Sequence, residues 1–217
     1  MKFSYAIFDM DGLMFDTERL VIDAFANGVA PATGLEFSEA KLKQLIGLNR
    51  VATEERFGVL FGSKYSCQEC HTIADAWIDQ YLQTNGVPIK VGLLELLQWL
   101  QVRDCKMAVA TSTDRQRAFR LLRMAGVEKY FHTVIGGDMV TESKPNPQIF
   151  LLAAQMLGCE DLQRCVVFED SLNGMLAAAK AEIPTIIVPD LIDPTLENPN
   201  LCIAKVTTLS EAIPYLE

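Results

Sequence analysis

The sequence predicts an α/β protein, a doubly wound parallel sheet with a small all-helical domain inserted after the first strand. Three observations lead there. Tyr5-Ala6-Ile7-Phe8 is a short apolar run that breaks at Asp9 into acid and glycine, as a central strand does when it is covered on both faces and delivers reactive side chains at its carboxyl end. From Val91 onward, apolar runs of strand length alternate with helix-periodic segments through short links, the pattern of a parallel sheet with helices on both faces. Between them lie roughly 65 to 70 residues of purely helical periodicity, too long for a connection within an α/β unit. Residues 1–16 and 88–217 are therefore assigned to the α/β core, and residues 17–87 to the helical insert.

The insert opens with a helix over Thr17 to Val29, carrying Leu20, Val21, Ala24, Phe25 and Gly28 on one face. Pro31 to Gly34 is expected to break it. Ser38 and Glu39 restart a helix through Leu45, Gly47-Leu48-Asn49-Arg50 interrupts the chain, and Val51–Phe61 and Cys67–Gln83 show helical spacing. Gly86-Val87-Pro88 marks the return to the core. There, helix Gly92–Val102 leads to strand Lys106–Thr111, and Thr113, spaced from Gln116 as in a capping box, is expected to start a helix to Ala125-Gly126. Strand Thr133–Gly136 follows. Asn146 can cap and Pro147 open the helix to Leu157-Gly158. Strand Cys165–Glu169, helix Leu172–Ala181 behind Ser171, strand Thr185–Val188 and a short helix from Thr208 to Tyr215 complete the chain. Phe8, Phe150 and Phe168 belong to the core.

Half of the 217 residues are hydrophobic and 22% are charged, the composition of an ordinary globular protein. A formal net charge of −9 argues against nucleic-acid backbones and anionic membrane surfaces as partners. No leader-like segment precedes the first strand and no run is long enough to cross a bilayer, so the cytoplasm is the expected compartment. The six cysteines are scattered, several of them in apolar runs, and imply no disulfide framework.

Chemistry collects at the predicted strand exits. Asp9 and Asp11, two residues apart, would face opposite ways on an extended chain, but a turn permitted by Gly12 brings both to one site. Thr111-Ser112-Thr113 offers hydroxyls and amides suited to a phosphoryl oxygen at a helix start. Lys144 is locked between a strand exit and two prolines, and Glu169-Asp170 closes a buried strand. Taken singly, each has a plainer reading: an acidic turn, a helix cap, a solvated lysine.

Together they resemble the four motifs of the haloacid dehalogenase (HAD) superfamily, in family order and over essentially the whole chain. Asp9-Met10-Asp11-Gly12 followed by Asp16-Thr17-Glu18 resembles the opening motif of the phosphatase branch, and Thr111 matches the second. Lys144-Pro145-Asn146-Pro147-Gln148-Ile149-Phe150 resembles the third, KPxPxxF, and Glu169-Asp170-Ser171-Leu172-Asn173-Gly174 the fourth. The insert resembles the helical cap of subfamily I, shared by β-phosphoglucomutase and phosphoglycolate phosphatase-like enzymes. The resemblance implies a Rossmann-like core and hydrolysis of a small phosphomonoester, with sugar phosphates leading. Asp9 would be the nucleophile of an aspartyl-phosphate intermediate and Asp11 the acid and base, with Lys144, Thr111 and Ser112 holding the phosphoryl group. Asp9, the Asp11 carbonyl, Asp170 and, directly or through water, Glu169 would ligate a metal. Few hard carboxylate oxygens with open water positions suit Mg²⁺. The expected partner is a small phosphorylated metabolite, bound by a monomer.

By the same resemblance the cap closes over the site on hinges near Asp16-Thr17 and Gly86-Val87-Pro88, and Arg50 aligns with a substrate-phosphate arginine of the mutases. Ile46 and Val21 stand where those enzymes carry a lysine and a histidine, which ranks hydrolysis above a phosphosugar mutase. Dehalogenation ranks lower, since that branch lacks the acid equivalent to Asp11. A phosphoaccepting receiver domain has its acceptor elsewhere than on the first strand and lacks the insert. A non-catalytic phosphoacceptor or metal-binding protein fits poorly with an intact nucleophile and acid. Cys67-Gln68-Glu69-Cys70-His71 matches the haem-attachment pattern, but helical spacing with Cys70 buried and Cys67 and His71 exposed is the expectation. Arg115, Arg117, Arg120 and Arg123 are expected to form a solvated helix face.

Overall fold

The computed structural model describes residues 1–45, 50–196 and 198–217. The chain divides into two compact units, Met1–Asp16 with Val87–Glu217, and Thr17–Gly86.

The larger unit is built on β1 (Tyr5–Phe8). The smaller unit contains helices α1 (Thr17–Ala24), α2 (Ala30–Thr33), α3 (Glu39–Leu42), α4 (Arg50–Phe61) and α5 (Cys67–Asn85). The larger unit then continues with α6 (Leu93–Gln101), β2 (Lys106–Ala110), α7 (Arg115–Met124), β3 (Thr133–Ile135), α8 (Gln148–Leu157), β4 (Cys165–Glu169), α9 (Leu172–Lys180), β5 (Thr185–Ile187) and β6 (Ala204–Lys205). Its six strands run parallel in the order β3-β2-β1-β4-β5-β6, so the strand order reverses at β1 and β4. Ligands of such sheets bind at that reversal, outside the carboxyl ends of the strands.

Alternate residues of the central strands serve two cores. Ile7, Ala108, Ala110, Ile135 and Val167 pack with Ile149, Phe150, Ala153, Ala154 and Ala177 of α8 and α9. The opposite parity, including Ala6, Phe8, Met107, Val109 and Phe168, is equally buried, so helices cover both faces. Phe8 and Phe168, paired in register, stack with ring centroids 4.6 Å apart. No described helix is long and apolar enough to cross a membrane.

Several local expectations change. The first helix of the insert does not break at Pro31. It widens into a π-helical turn over Phe25–Val29 and runs on to Thr33, where Gly34 stops it in the left-handed conformation. In that wider turn the Ala30 N–H reaches the Phe25 carbonyl, five residues back, which offsets the frame before the proline removes its donor. Cys67 is buried at the start of α5 together with Cys70, and His71 is half-buried, edge-on to Phe25. The short β6 was not expected, and the terminal helix is 3-10, over Leu209–Tyr215 with Pro214 inside it. Ile46 and the side chain of Arg50 lie outside the described residues.

Candidate active site

β1 ends by handing its ladder to a tight loop. The Asp9 N–H still bonds the Phe168 carbonyl, and the chain then folds back with the N–H groups of Met14 and Phe15 both donating to the Met10 carbonyl. Gly12 turns the corner at φ +82°. A Cβ there would lie 2.4 Å from Asp170 Oδ2, so both conformation and space require glycine.

Lys144 ties three strand ends together. Its Nζ donates to Asp9 Oδ1 at 2.5 Å, to Glu169 Oε1 at 2.7 Å and to the Ala110 carbonyl at 3.1 Å, which uses all three ammonium protons. The same Nζ lies 4.8 Å from the ring centroid of Phe150. Burial lowers the affinity of this ammonium for its proton, but Asp9 and Glu169 more than reverse that and hold it above the ordinary lysine range.

Glu169 is wholly buried and committed to its neighbours. While Oε1 faces Lys144, Oε2 accepts from the N–H groups of Asp170 and Ser171 and from Ser171 Oγ. Ser171 Oγ in turn accepts the Gly174 N–H and caps α9. Gly174 is glycine because a Cβ would come within 1.8 Å of the Glu169 carboxyl.

Asp11 is held by two hydroxyls. Thr111 Oγ1 donates to Asp11 Oδ2 at 3.1 Å and Thr113 Oγ1 at 2.8 Å. Thr113 is therefore not the cap of α7. Asp114 takes that role by accepting the Arg117 N–H, which leaves Thr113 to face the site. Thr111 is buried, and Ser112, next to it, is exposed.

Asp9 and Asp170 are almost completely buried. Burial pushes the Asp9 carboxyl up, Lys144 opposes it, and Glu169 and Asp11 add to the rise. Asp170 is raised well above the carboxylate range by burial first, then by Glu169 and Asp9, with Asp190 also contributing. Among the described residues, Lys144 thus pairs with Asp9 and Glu169 and its charge also reaches Asp170, with Asp11 adding to the negative charge around Asp9. Among the described residues no three His, Cys, Asp or Glu side chains could by themselves hold a metal. Two buried carboxylates backed by excess negative charge nevertheless fit a hard divalent cation, which keeps several waters and takes few protein ligands.

Sequence reasoning gave Thr113 a phosphoryl-facing or capping role rather than a bond to Asp11, and missed Lys90 and Asp190. Lys90 Nζ and Asp190 Oδ1 pair at 2.6 Å beside the loop after β1. The only signal for Asp190 is its place shortly after β5, the rule that locates Asp9 and Asp170.

Acids, a buried lysine and hydroxyls gathered at the reversal point of a doubly wound sheet define a hydrolase of the phosphatase class. Residues 6–188 match the haloacid dehalogenase-like hydrolase family. A phosphorylated carbohydrates phosphatase from Thermotoga maritima is 33% identical over 187 residues, 83% of this chain and 82% of that protein. Fructose-1-phosphate phosphatase YqaB of Escherichia coli is 29% identical, over 86% and 97% of the two chains. Among solved structures, a Thermotoga maritima protein provisionally assigned as a β-phosphoglucomutase superposes with a TM-score of 0.81 at 28% identity, covering 98% of each chain. CbbY from Rhodobacter sphaeroides, solved with phosphate, shares the fold with a TM-score of 0.78 at 24% identity, over 97% and 96% of the two chains. The chain belongs to the haloacid dehalogenase-like hydrolases and falls among their phosphatases. Phosphatases of this family generally use a divalent metal ion.

Proposed function

We propose that this protein hydrolyses a small phosphomonoester, foremost a sugar phosphate, with Mg²⁺ and through an aspartyl-phosphate on Asp9. The observation that carries this reading is Lys144 Nζ set between Asp9 Oδ1 and Glu169 Oε1, with Asp11 held apart by its two threonines. The names of the relatives support the substrate class, since one acts on phosphorylated carbohydrates and another on fructose 1-phosphate.

Asp9, Asp170 and the main-chain carbonyl of Asp11 would hold Mg²⁺, which when bound offsets the charge of the phosphoryl oxygens. The Asp9 carboxylate attacks phosphorus and the ester P–O bond breaks. Lys144 opposes the push of burial on Asp9 and so favours the ionised carboxylate that the attack needs. The departing alkoxide takes the proton of Asp11, giving the free alcohol. A water molecule then attacks the acyl phosphate and gives its proton to Asp11, so that phosphate leaves with Asp9 regenerated and Asp11 protonated again. Thr111 and Thr113 hold Oδ2 of Asp11 and so orient the carboxyl group, whose proton is carried on Oδ1, and Thr111 with Ser112 would lie beside the phosphoryl group. Glu169, with both oxygens engaged, works by placing Lys144 and Asp170 rather than as a metal ligand.

The test is phosphate release from a panel including hexose 1- and 6-phosphates and fructose 1-phosphate, with Mg²⁺ and with EDTA. Multiple turnovers that require the metal and vanish in Asp9→Asn are expected. A folded Asp9→Asn protein with full activity would refute the mechanism. A phosphosugar mutase is the second reading, favoured by the likeness to the provisionally assigned mutase. Interconversion of sugar phosphate isomers without phosphate release would establish it.

A further inference from the structure

Asp190 stands three residues beyond β5, outside the motif acids, and its side chain is only 2% exposed. One carboxylate oxygen, Oδ1, is bound by Lys90 Nζ at 2.6 Å. The other, Oδ2, is buried and accepts no hydrogen bond among the described residues. An unsatisfied buried carboxylate oxygen costs free energy comparable to a lost charged hydrogen bond, so its retention calls for a partner. Its direction identifies one. The position that a Cβ on Gly12 would occupy lies 3.4 Å from Asp190 Oδ2 and 2.4 Å from Asp170 Oδ2, so both oxygens converge above the glycine of the nucleophile loop.

We propose that Asp190 is an additional acid of the metal centre, its Oδ2 accepting a hydrogen bond from water in the hydration shell of the cation held by Asp170. This rests on the metal-dependent reading given above. A divalent cation of the Mg²⁺ type keeps several waters, and an acceptor fixed beside them orients that shell without displacing it. Lys90 supplies the fixing. It occupies the other oxygen, limits rotation of the carboxylate, and offsets enough of its charge to let a further acid sit beside Asp170. Lys90 is itself anchored, since its N–H donates to the Met14 carbonyl of the nucleophile loop. Asp190 is a positioning residue and makes no contact with substrate in this assignment.

The decisive measurement is the Kd for Mg²⁺, and for Mn²⁺ as a spectroscopic substitute, by calorimetry and by Mn²⁺ electron paramagnetic resonance in the absence of substrate. Wild type, Asp190→Asn and Asp170→Asn are compared, with thermal melting of each metal-free protein alongside. Asp190→Asn keeps the shape but can present a donor where an acceptor is needed. We expect it to weaken binding about tenfold or more, the usual cost of losing an outer-shell partner, with little change in metal-free melting. A Kd equal to wild type, with Asp170→Asn abolishing binding, would overturn the role of Asp190 and leave the metal reading intact. Absence of binding to wild type would overturn both. Should Asp190→Asn fail to fold because Lys90 is left unpaired, the double variant Lys90→Met with Asp190→Asn removes both partners and is held to the same Kd criterion.

Discussion

Thr113 Oγ1 donates to Asp11 Oδ2 at 2.8 Å, on the same oxygen that Thr111 Oγ1 reaches at 3.1 Å. Two hydroxyls from one strand exit thereby set the position of the Asp11 carboxyl group, the proposed acid and base. Thr113→Val keeps the shape and removes one of them. It is expected to lower kcat by about tenfold to a hundredfold, matching about 1.5–3 kcal/mol for a hydrogen bond to a charged group, without loss of fold. Thr111→Val should also lower stability by about 1–3 kcal/mol, because the buried Thr111 hydroxyl accepts the Thr113 N–H as well. Urea melts and phosphate release separate the two effects, and equal stability losses in both variants would contradict this division.

Lys144→Met leaves Asp9 and Glu169 facing each other without a cation. The expected destabilisation near neutral pH is about 3–5 kcal/mol, as for other broken buried pairs. Its pH dependence has a definite sign. Without Lys144, burial and Glu169 both push Asp9 up, so the folded protein holds a proton that the unfolded chain has released. Stability of the variant therefore falls as pH rises from the ordinary carboxylate range toward the raised value. In wild type, the contribution of Lys144 is present below the ordinary lysine value and is lost only as pH rises above it. Urea midpoints at pH 5, 7 and 9 test this, and a flat profile for the variant from 5 to 9 would count against it.

Gly174→Ala drives a Cβ to within 1.8 Å of the Glu169 carboxyl, in a pocket with no slack. A loss of about 1–3 kcal/mol or more is expected. Gly58, in α4, has open space where its Cβ would be, and Gly58→Ala should gain about 0.5–1 kcal/mol by limiting the unfolded chain. Opposite shifts of the urea midpoint are the expected result.

Native thiols should divide into two groups. Cys67, Cys70, Cys105 and Cys165 are buried, and burial pushes Cys67 up to about 11 and Cys105 up to about 12. Cys159 and Cys202 are only partly buried. Iodoacetamide at pH 8, read by peptide mass spectrometry, should label Cys159 and Cys202 first and the other four only on unfolding. Labelling of Cys67 as fast as Cys202 would show that the start of α5 opens readily.

Much of the fold was legible because each central strand is an apolar run ending in a chemically distinct residue: Asp9 after Phe8, Thr111 after Ala110, Glu169-Asp170 after Phe168. The site was less so, for physical reasons. Thr113 fits a capping box with Gln116, yet the next residue, Asp114, caps α7, and a shift of one position decides whether a hydroxyl faces the backbone or Asp11. Asp190 follows a proline in a segment without periodicity, and its partner Lys90 is 100 residues away. The π-helical turn at Phe25–Val29 inserts no unusual residue, so helical periodicity alone cannot reveal it. At two residues, β6 is too short to show an alternation.

The three hydrogen bonds of Lys144 join the ends of β1, β2 and β4, segments separated by roughly a hundred residues or more from β1 to either neighbour. No fragment of the chain holding fewer than these strands can assemble the charge pattern around Asp9. Catalytic competence is therefore a property of the finished sheet and not of any local motif. During refolding, activity that depends on this charge pattern cannot return before the three strands have paired.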